Sequence, residues 1–193
     1  GNGAGTLLTT EAVALNPNRN SKWSKDEVAE ELRKALGVQD VFWLPNGIEG
    51  DDTDGHIDDL TRFVKEDAIL SAVENTSASP NYRTLQRNLE ILQDLKTVSG
   101  SSVEIIELPM PAPLHAKNWR LDTLPASYAN FLILNTSVLV PTFAQANNDD
   151  RALGIIRECF PQRDVIGINC CDIIWEGGAI HCISQQQPSC NHS

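Results

Sequence analysis

A recurring order of predicted elements constrains the fold of this chain more than any other feature of its sequence. Three times, two strand-like segments around a tight turn are followed by a helix pattern and then by a short apolar strand. The strands that follow the helices start at Val41, Val103 and Val165, which are 62 residues apart. A fixed period of this kind is typical of repeat architectures, whose units bury their sheet faces by packing together. The sequence therefore predicts an α/β protein built from ββαβ repeats.

The helices and strand pairs of the repeats can be placed from local signals. The first helix is predicted between Ser24 and Gly37, because Ser24 and Glu27 form a capping box and a glycine closes the other end. The next two helices are predicted at about 82–96 and 149–159. The strand pairs are predicted within 5–16, 59–73 and 130–143.

One incomplete domain is expected over residues 1–193. Its repeat units are predicted at about 5–45, 59–109 and 130–169, and another unit begins at 177–188. Three units and the beginning of a fourth do not close a ring around a common axis. The chain also starts without methionine, so we expect it to be part of a longer protein.

Charge and apolar content exclude several classes of partner. The net charge of −11 leaves no basic surface to neutralise phosphates, so no nucleic acid is expected. No apolar run approaches the roughly 18 residues that a membrane span needs, so no membrane partner is expected. An acidic surface suits a small cationic substrate, although it is more often a solubility feature.

All five cysteines lie in the last 35 residues. Their odd number favours reduced thiols in a reducing compartment, which predicts a cytoplasmic location. Because there is no C-x-x-C pair and no histidine at zinc-finger spacing, structural zinc is not expected. Cys182 lies in the segment WEGGAIHCISQQQP. The other four are interpreted as packing residues or bystanders: Cys159, Cys170, Cys171 and Cys190.

Two polar segments occupy equivalent positions at the start of repeats. GDDTDGHIDDLTRF opens the second unit, and the segment with Cys182 opens the fourth. Equivalent positions in quasi-symmetric units lie near a shared axis, so we expect His56 and Cys182 to meet there. Glycines in both segments would let the backbone approach that crowded centre: Gly55, Gly177 and Gly178.

The chemistry of these residues leaves several interpretations open. A calcium loop in DDTDG is excluded, because placing Gly55 at loop position six puts glycine and threonine where aspartate and glutamate are needed. On a strand, His56 and Asp58 would face the same side and suit a metal, but no third ligand is evident, and no metal is expected. Buried structural cysteine and histidine are the simplest interpretation.

A nucleophilic site uses more of these residues. A thiolate can attack, a histidine can serve as its acid and base, and a carboxylate can accept paired hydrogen bonds from a guanidinium group. Cys182, His56 and Asp58 together therefore suggest attack on a guanidinium carbon. His181 would face away from Cys182 on a strand and is given a supporting role. Glu176 is a second candidate carboxylate.

The motifs of one enzyme family match the chain in order. Segments of the agmatine deiminases, within the wider peptidylarginine-deiminase-like group, resemble GTLLTTEAVALNPNRN, WLPNGIEGDDTDGHIDDLTRF, LPASYANFLILN and GGAIHCISQQQP, from about Gly5 to Pro188. The resemblance implies the pentein fold, a propeller of five ββαβ units, of which about three and part of another are present. It implies hydrolysis of agmatine to N-carbamoylputrescine and ammonia. A peptidylarginine deiminase and an inactive binding or structural module are the alternatives.

The resemblance also implies roles for individual residues. Cys182 matches the family's nucleophile, which forms a thiouronium intermediate, and His56 and Asp58 match its G-H-I-D motif as proton-transfer and guanidinium-binding residues. Gly178 is expected to contact the substrate. Ala179 stands where the family usually has asparagine in G-G-N-I-H-C.

The family also sets expectations for partners. No cofactor is implied, and a homodimer is expected because the family is often dimeric. The family's N-terminal half, which carries further substrate-binding segments, is expected to be needed to complete the fold.

Overall fold

A computed structural model describes residues 1–117 and 122–187 of the chain. Within these ranges the strands form three small β-sheets, and helices connect the strands. No helix of the described ranges is long and apolar enough to cross a membrane. Cys190, and Pro188 at the end of the fourth-unit segment, lie outside the described residues.

The first sheet contains two parallel strands, β1 (Thr6–Thr10) and β2 (Asp40–Leu44). The strand pair predicted at the start of this unit is wrong, because helix α1 (Glu11–Ala14) follows β1 directly. The side chain of Thr10 accepts a hydrogen bond from the backbone N–H of Val13 and caps this helix. The capped helix therefore begins where alternating apolar and polar residues predicted a second strand.

Two further helices, α2 (Pro17–Asn20) and α3 (Lys25–Leu36), lead to β2. The predicted ends of α3 are confirmed. Ser24 and Glu27 form the complete capping box, and Gly37 ends the helix with a φ of 67°. Glycine suits this left-handed conformation because it has no Cβ atom.

The second sheet contains β3 (Thr61–Lys65), β4 (Ala68–Val73) and β5 (Glu104–Pro109). β3 and β4 form an antiparallel hairpin, and β4 pairs in parallel with β5 after the crossover helix α4 (Tyr82–Leu92). The order is the predicted one, although α4 ends four residues early. All six residues of β4 are buried, as befits the central strand.

The third sheet repeats this order. β6 (Leu132–Ile133) and β7 (Ser137–Thr142) are antiparallel, and β7 pairs in parallel with β8 (Asp164–Asn169). Helix α5 (Ala146–Cys159) connects them and begins three residues before the prediction. Both the second and third sheets thus have the strand, strand, helix, strand order.

Two hydrophobic clusters hold the sheets and helices together. The smaller cluster joins residues of the first and second sheets, and the larger one is centred on the third sheet. Ile174, Ala179 and Ile180 belong to the larger cluster and anchor the segment that precedes Cys182. Packing against the third sheet therefore fixes where the candidate nucleophile lies.

Candidate active site

The segment around Cys182 is a turn and not a strand. A short 3₁₀ helix (Ile173–Glu176) ends at Gly177, whose φ is 92°, and a turn over 180–183 follows. A Cβ atom at Gly178 would lie only 2.6 Å from Sγ of Cys182. Glycine is therefore required for the backbone to fold this closely over the thiol.

The segment around Asp58 is not a strand either. His56 precedes a single turn of 3₁₀ helix (Ile57–Asp59), so the strand spacing expected for His56 and Asp58 is wrong. The close backbone approach expected at Gly55 is present, but its partner is another glycine. A Cβ atom at Gly55 would lie 2.8 Å from the backbone nitrogen of Gly47. The two glycines thus allow two backbone segments of this loop to pack directly against each other.

Asp58 connects the two segments. Its Oδ2 atom lies 2.7 Å from Nδ1 of His181 and 3.0 Å from Nδ2 of Asn130. The thiol of Cys182 donates to the same oxygen at 3.5 Å. The structure thus brings together two of the three residues to which catalysis was assigned, Asp58 and Cys182, across 124 positions of the chain.

The two histidines lie differently from the expectation. His181 was expected to face away from Cys182, but side chains need not alternate in a turn, and its ring bonds Asp58. Nδ1 of His56 instead lies 3.0 Å from Oγ1 of Thr53. Within the described ranges, no hydrogen bond joins His56 to Cys182 or Asp58.

Asn130 is a site residue that sequence reasoning did not assign. Its side chain is fully buried and bonds Asp58, Asp59 and Cys182. The available signal was an asparagine in the apolar stretch YANFLIL, since a buried amide requires hydrogen-bond partners. Its partners could not be identified from that signal, because they lie more than 50 positions away.

Asp59 contributes a second carboxyl group, which sequence reasoning also did not assign. One side-chain ligand atom from each of Asp58, Asp59 and Cys182 lies within 4.8 Å of the others. Burial, followed by the charges of Asp58 and Asp51, raises the pKa of Asp59 well above its ordinary value. Asp59 is therefore more readily protonated than Asp58.

Arg62 fixes the strand behind these carboxyl groups. Its Nη1 atom donates to the backbone carbonyls of Ala129 at 3.2 Å and Phe131 at 2.9 Å. Its guanidinium carbon lies 4.9 Å from the centre of the Phe131 ring. Arg62 thus ties β3 to the segment that carries Asn130 and places a positive charge near the site.

The surroundings of Cys182 favour a protonated thiol in the free site. The residue is exposed, but its sulfur contacts the buried Asp58 and Asn130. Burial, followed by the charges of Asp59 and Asp58, raises the pKa of Cys182 to about 12. Hydrogen bonds from Asn130 and from the backbone of Ala179 act in the opposite direction. A positive charge placed beside the sulfur would further favour the thiolate.

The pKa of Asp58 is shifted in the opposite direction, towards the ionised form. Burial raises its pKa, but the hydrogen bond and charge of His181, together with the charge of Arg62, hold that pKa below its ordinary value. Asp58 is therefore ionised at neutral pH. The site thus presents a carboxylate and a thiol to the same space, which is the combination that a guanidinium cation can occupy.

The remaining predicted residues lie apart from this cluster. Glu176 is exposed at the end of its 3₁₀ helix. Cys159 and Cys170 are buried and Cys171 is half-buried, and all three are free thiols. Their positions agree with the packing and bystander interpretation.

The clustered carboxyl and thiol groups are also a set that could ligate a metal ion. Their donors are mixed, because carboxylates prefer hard cations and thiolates prefer soft ones. This set differs from the metal pair considered from the sequence, which was His56 with Asp58. Among the described residues, no hydrogen bond joins the side chains of His56 and Asp58 directly.

A cavity of about 380 Å³ lies beside the site. Asp58, Arg62 and His181 form a polar part of its wall. The apolar part consists of Leu7, Leu8, Ile57, Phe63 and Ile133. Thr61 and Gln186 add further polar groups to the lining, so the wall offers both apolar contact and hydrogen-bonding groups to a small molecule.

Known proteins match this chain over almost all of its length. An agmatine deiminase of Stutzerimonas stutzeri (strain A1501) is 38% identical over 202 residues, which cover 97% of this chain and 55% of the relative. The structure of an Enterococcus faecalis agmatine deiminase matches with a TM-score of 0.92 and 30% identity, over 97% of this chain and 55% of that one. A substrate-bound agmatine deiminase of C. jejuni matches with a TM-score of 0.85 and 32% identity, over 94% and 52%.

The chain therefore spans about half the length of these relatives. Its fold is the α/β fold that the two solved agmatine deiminases share over the matched region. The model of the Porphyromonas-type peptidyl-arginine deiminase family matches residues 1–188. Since this match covers nearly every residue, the chain belongs to the Porphyromonas-type peptidyl-arginine deiminase family.

Proposed function

We propose that the protein containing these residues hydrolyses the guanidinium group of agmatine to N-carbamoylputrescine and ammonia. The observation that carries the proposal is the contact of Cys182 Sγ with Asp58 Oδ2 at 3.5 Å. A nucleophilic sulfur and a guanidinium-binding carboxylate must lie this close to act on one substrate. Relatives named agmatine deiminase support agmatine as the substrate. Because they are nearly twice as long, the proposal concerns the complete gene product.

Substrate binding activates the nucleophile in this proposal. The ionised carboxylate of Asp58 accepts hydrogen bonds from the guanidinium nitrogens and directs the central carbon towards Cys182. The bound cation offsets the negative charges of Asp58 and Asp59, which are among the causes of the high thiol pKa. Binding therefore lowers the pKa of Cys182 and increases the thiolate fraction where it is needed. Gly178 lies against the sulfur, and its lack of a side chain keeps the thiol from being crowded on that side.

The reaction then needs only the substrate and water. The Cys182 thiolate forms a C–S bond with the guanidinium carbon, and one nitrogen leaves as ammonia after it receives a proton. The resulting thiouronium carbon is attacked by water, which loses a proton. Cleavage of the C–S bond regenerates the thiolate and releases the ureido product. No cofactor or metal enters these steps.

A histidine transfers the protons. His56 is assigned this role from its place in the G-H-I-D motif. His181 is a second candidate, since its Nδ1 atom lies 2.7 Å from Oδ2 of Asp58. An imidazole held by a carboxylate has a fixed tautomer and orientation, which favours its action as acid and base.

The proposal extends to the architecture of the complete protein. Residues 1–193 form part of one pentein domain, a propeller of five ββαβ units, of which about three and part of another lie in this chain. The repeated order in the second and third sheets supports this assignment. Ile166 and Ile168 of β8 are 44% and 37% exposed, so a further unit would cover apolar surface there. A cytoplasmic location and a homodimer remain predictions.

The test is an assay for ureido product with the longest polypeptide that the gene encodes. Agmatine, free arginine and an arginine-containing peptide are compared, with Cys182→Ala as the control and EDTA in a parallel reaction. Turnover of agmatine alone, lost in the variant and unaffected by EDTA, is the expected result. Preference for the peptide would favour a peptidylarginine deiminase. Turnover of none of the substrates would favour an inactive binding module, and loss with EDTA would favour a metal site.

A further inference from the structure

We infer that Asn130 is a positioning residue that holds Cys182 and Asp58 in reacting geometry, a role that rests on the proposed function. Asn130 lies just before β6 and is fully buried. Its side chain meets both site segments, because it bonds Asp58 and Asp59 of one and Cys182 of the other. It is thus a direct bridge between the carboxyl groups and the nucleophile.

The orientation of the amide follows from its partners. Oδ1 of Asn130 accepts from the backbone N–H of His181 at 2.9 Å and from that of Cys182 at 3.4 Å. Backbone N–H groups can only donate, so the oxygen must face them and Nδ2 must face the opposite side. Nδ2 lies 3.0 Å from Asp58 Oδ2, 3.0 Å from Asp59 Oδ1 and 3.1 Å from Cys182 Sγ. Two amide hydrogens therefore serve three acceptors.

The oxygen of Asn130 anchors the turn that carries the nucleophile. Its side-chain and backbone carbonyls both accept from the N–H of His181, at 2.9 and 3.2 Å. These bonds fix the turn at the residue just before Cys182. The sulfur is thereby held in place although the residue itself is exposed.

The nitrogen of Asn130 allows three groups that can be negative to lie close together. Asp58, Asp59 and the Cys182 thiolate would repel one another, and a shared donor reduces that repulsion. The donor is neutral, so it leaves the negative charge of the site available to a cationic substrate. A lysine or arginine here would neutralise that charge and repel a guanidinium group. An amide supplies the hydrogen bonds without this cost.

Two substitutions separate the two functions of the amide. Asn130→Asp has the same shape and keeps an oxygen for the turn, but it replaces the N–H donor and adds a carboxylate. Asn130→Ala removes both functions. Asn88→Ala is the matched control, because Asn88 is also buried and its Nδ2 bonds the backbone oxygen of Asn46. Circular dichroism and thermal unfolding establish which variants are folded.

The measurement is the rate at which iodoacetamide alkylates Cys182, followed by peptide mass spectrometry from neutral to alkaline pH. Asn130→Ala removes the hydrogen bond to the thiolate without adding charge, so its thiol pKa should rise and Cys182 should react up to about tenfold more slowly, with the profile displaced to higher pH. Asn130→Asp should be displaced further, because its carboxylate adds a negative charge beside the sulfur. Asn88→Ala should follow the wild-type profile. If Asn130→Ala unfolds, the uncharged Asn130→Ser decides the result.

A wild-type alkylation profile in folded Asn130→Asp would overturn the inference. A wild-type profile in the folded, uncharged Asn130→Ala or Asn130→Ser would overturn it equally, because a purely structural role changes the melting temperature and not the ionisation of the thiol. Alkylation does not require turnover of agmatine. Its outcome is therefore distinct from failure of the proposed function, which the ureido assay of the wild-type protein would reveal.

Discussion

Cys182 and Cys170 both favour the protonated thiol, but their surroundings differ. Cys170 is fully buried in the larger core cluster, and burial is the main cause of its raised pKa. Burial is also the first cause at Cys182, but the charges of Asp59 and Asp58 come next. A cation can offset charges but cannot expose a core residue to water. Of these two thiols, the one beside the carboxyl groups is therefore the one that a bound cation would activate.

The largest expected effect separates these two thiols directly. Cys182→Ala should abolish turnover of agmatine, by about 10⁴-fold or more in kcat, because the bond-forming atom is lost. Cys170→Ala should retain kcat and lose only about 1 kcal/mol of stability, as expected for a small buried side chain. Steady-state assays and thermal unfolding measure both effects. Normal product release from Cys182→Ala would rule out covalent catalysis by this thiol.

The two histidines provide the next test of what activates the site. Loss of the acid–base residue should reduce kcat by about 10²- to 10⁴-fold. That loss is expected for His56→Ala if the motif assignment is right, and for His181→Ala if its bond to Asp58 marks the catalytic imidazole. Measuring kcat across pH identifies the residue whose removal abolishes one limb of the profile. Wild-type profiles in both variants would contradict histidine catalysis.

Asp58→Asn tests the carboxylate side of the comparison. The substitution keeps the shape of the side chain but removes the charge that binds a guanidinium group. A loss of about 10²-fold or more in kcat/KM for agmatine is expected, since breaking a buried charged hydrogen bond costs about 2–5 kcal/mol. Glu176→Gln is the control, because Glu176 is exposed. Unchanged kinetics in Asp58→Asn would refute the binding role.

The elements of the fold were predictable where the signal is local. The capping box of α3 and the apolar segments of β4 and β5 are each formed by residues only a few positions apart, and all three elements are present. The β1–α1 junction was mispredicted, because a hydrogen bond from Val13 to Thr10 favours helix over the strand that alternation suggested.

The geometry of the site was less predictable, because its partners are distant in sequence. Asn130 lies 72 positions from Asp58, and His181 lies 123 positions from it. Strand alternation predicted that His181 faces away from Cys182, but the segment is a turn, and the contact with Asp58 decides where the ring lies. The equivalent repeat positions, and then the resemblance to agmatine deiminases, both predicted that Cys182 and Asp58 share a site, but no periodicity in the sequence indicates which imidazole meets the carboxylate.

The smallest expected effect concerns how much of the thiol pKa comes from charge. Asp59→Asn removes the first of the two charges that raise the pKa of Cys182, so that pKa should fall from about 12. Below that pH the thiolate fraction, and hence the rate of alkylation by iodoacetamide, should rise about tenfold for each unit of decrease in the pKa. Cys171, a half-buried thiol in the same digest, is the internal reference for reagent and pH. An unchanged rate at Cys182 would mean that the charge of Asp59 does not set the ionisation of the thiol. Burial and the charge of Asp58 would then account for its raised pKa, and Asp59 would serve the site through its hydrogen bond with Asn130.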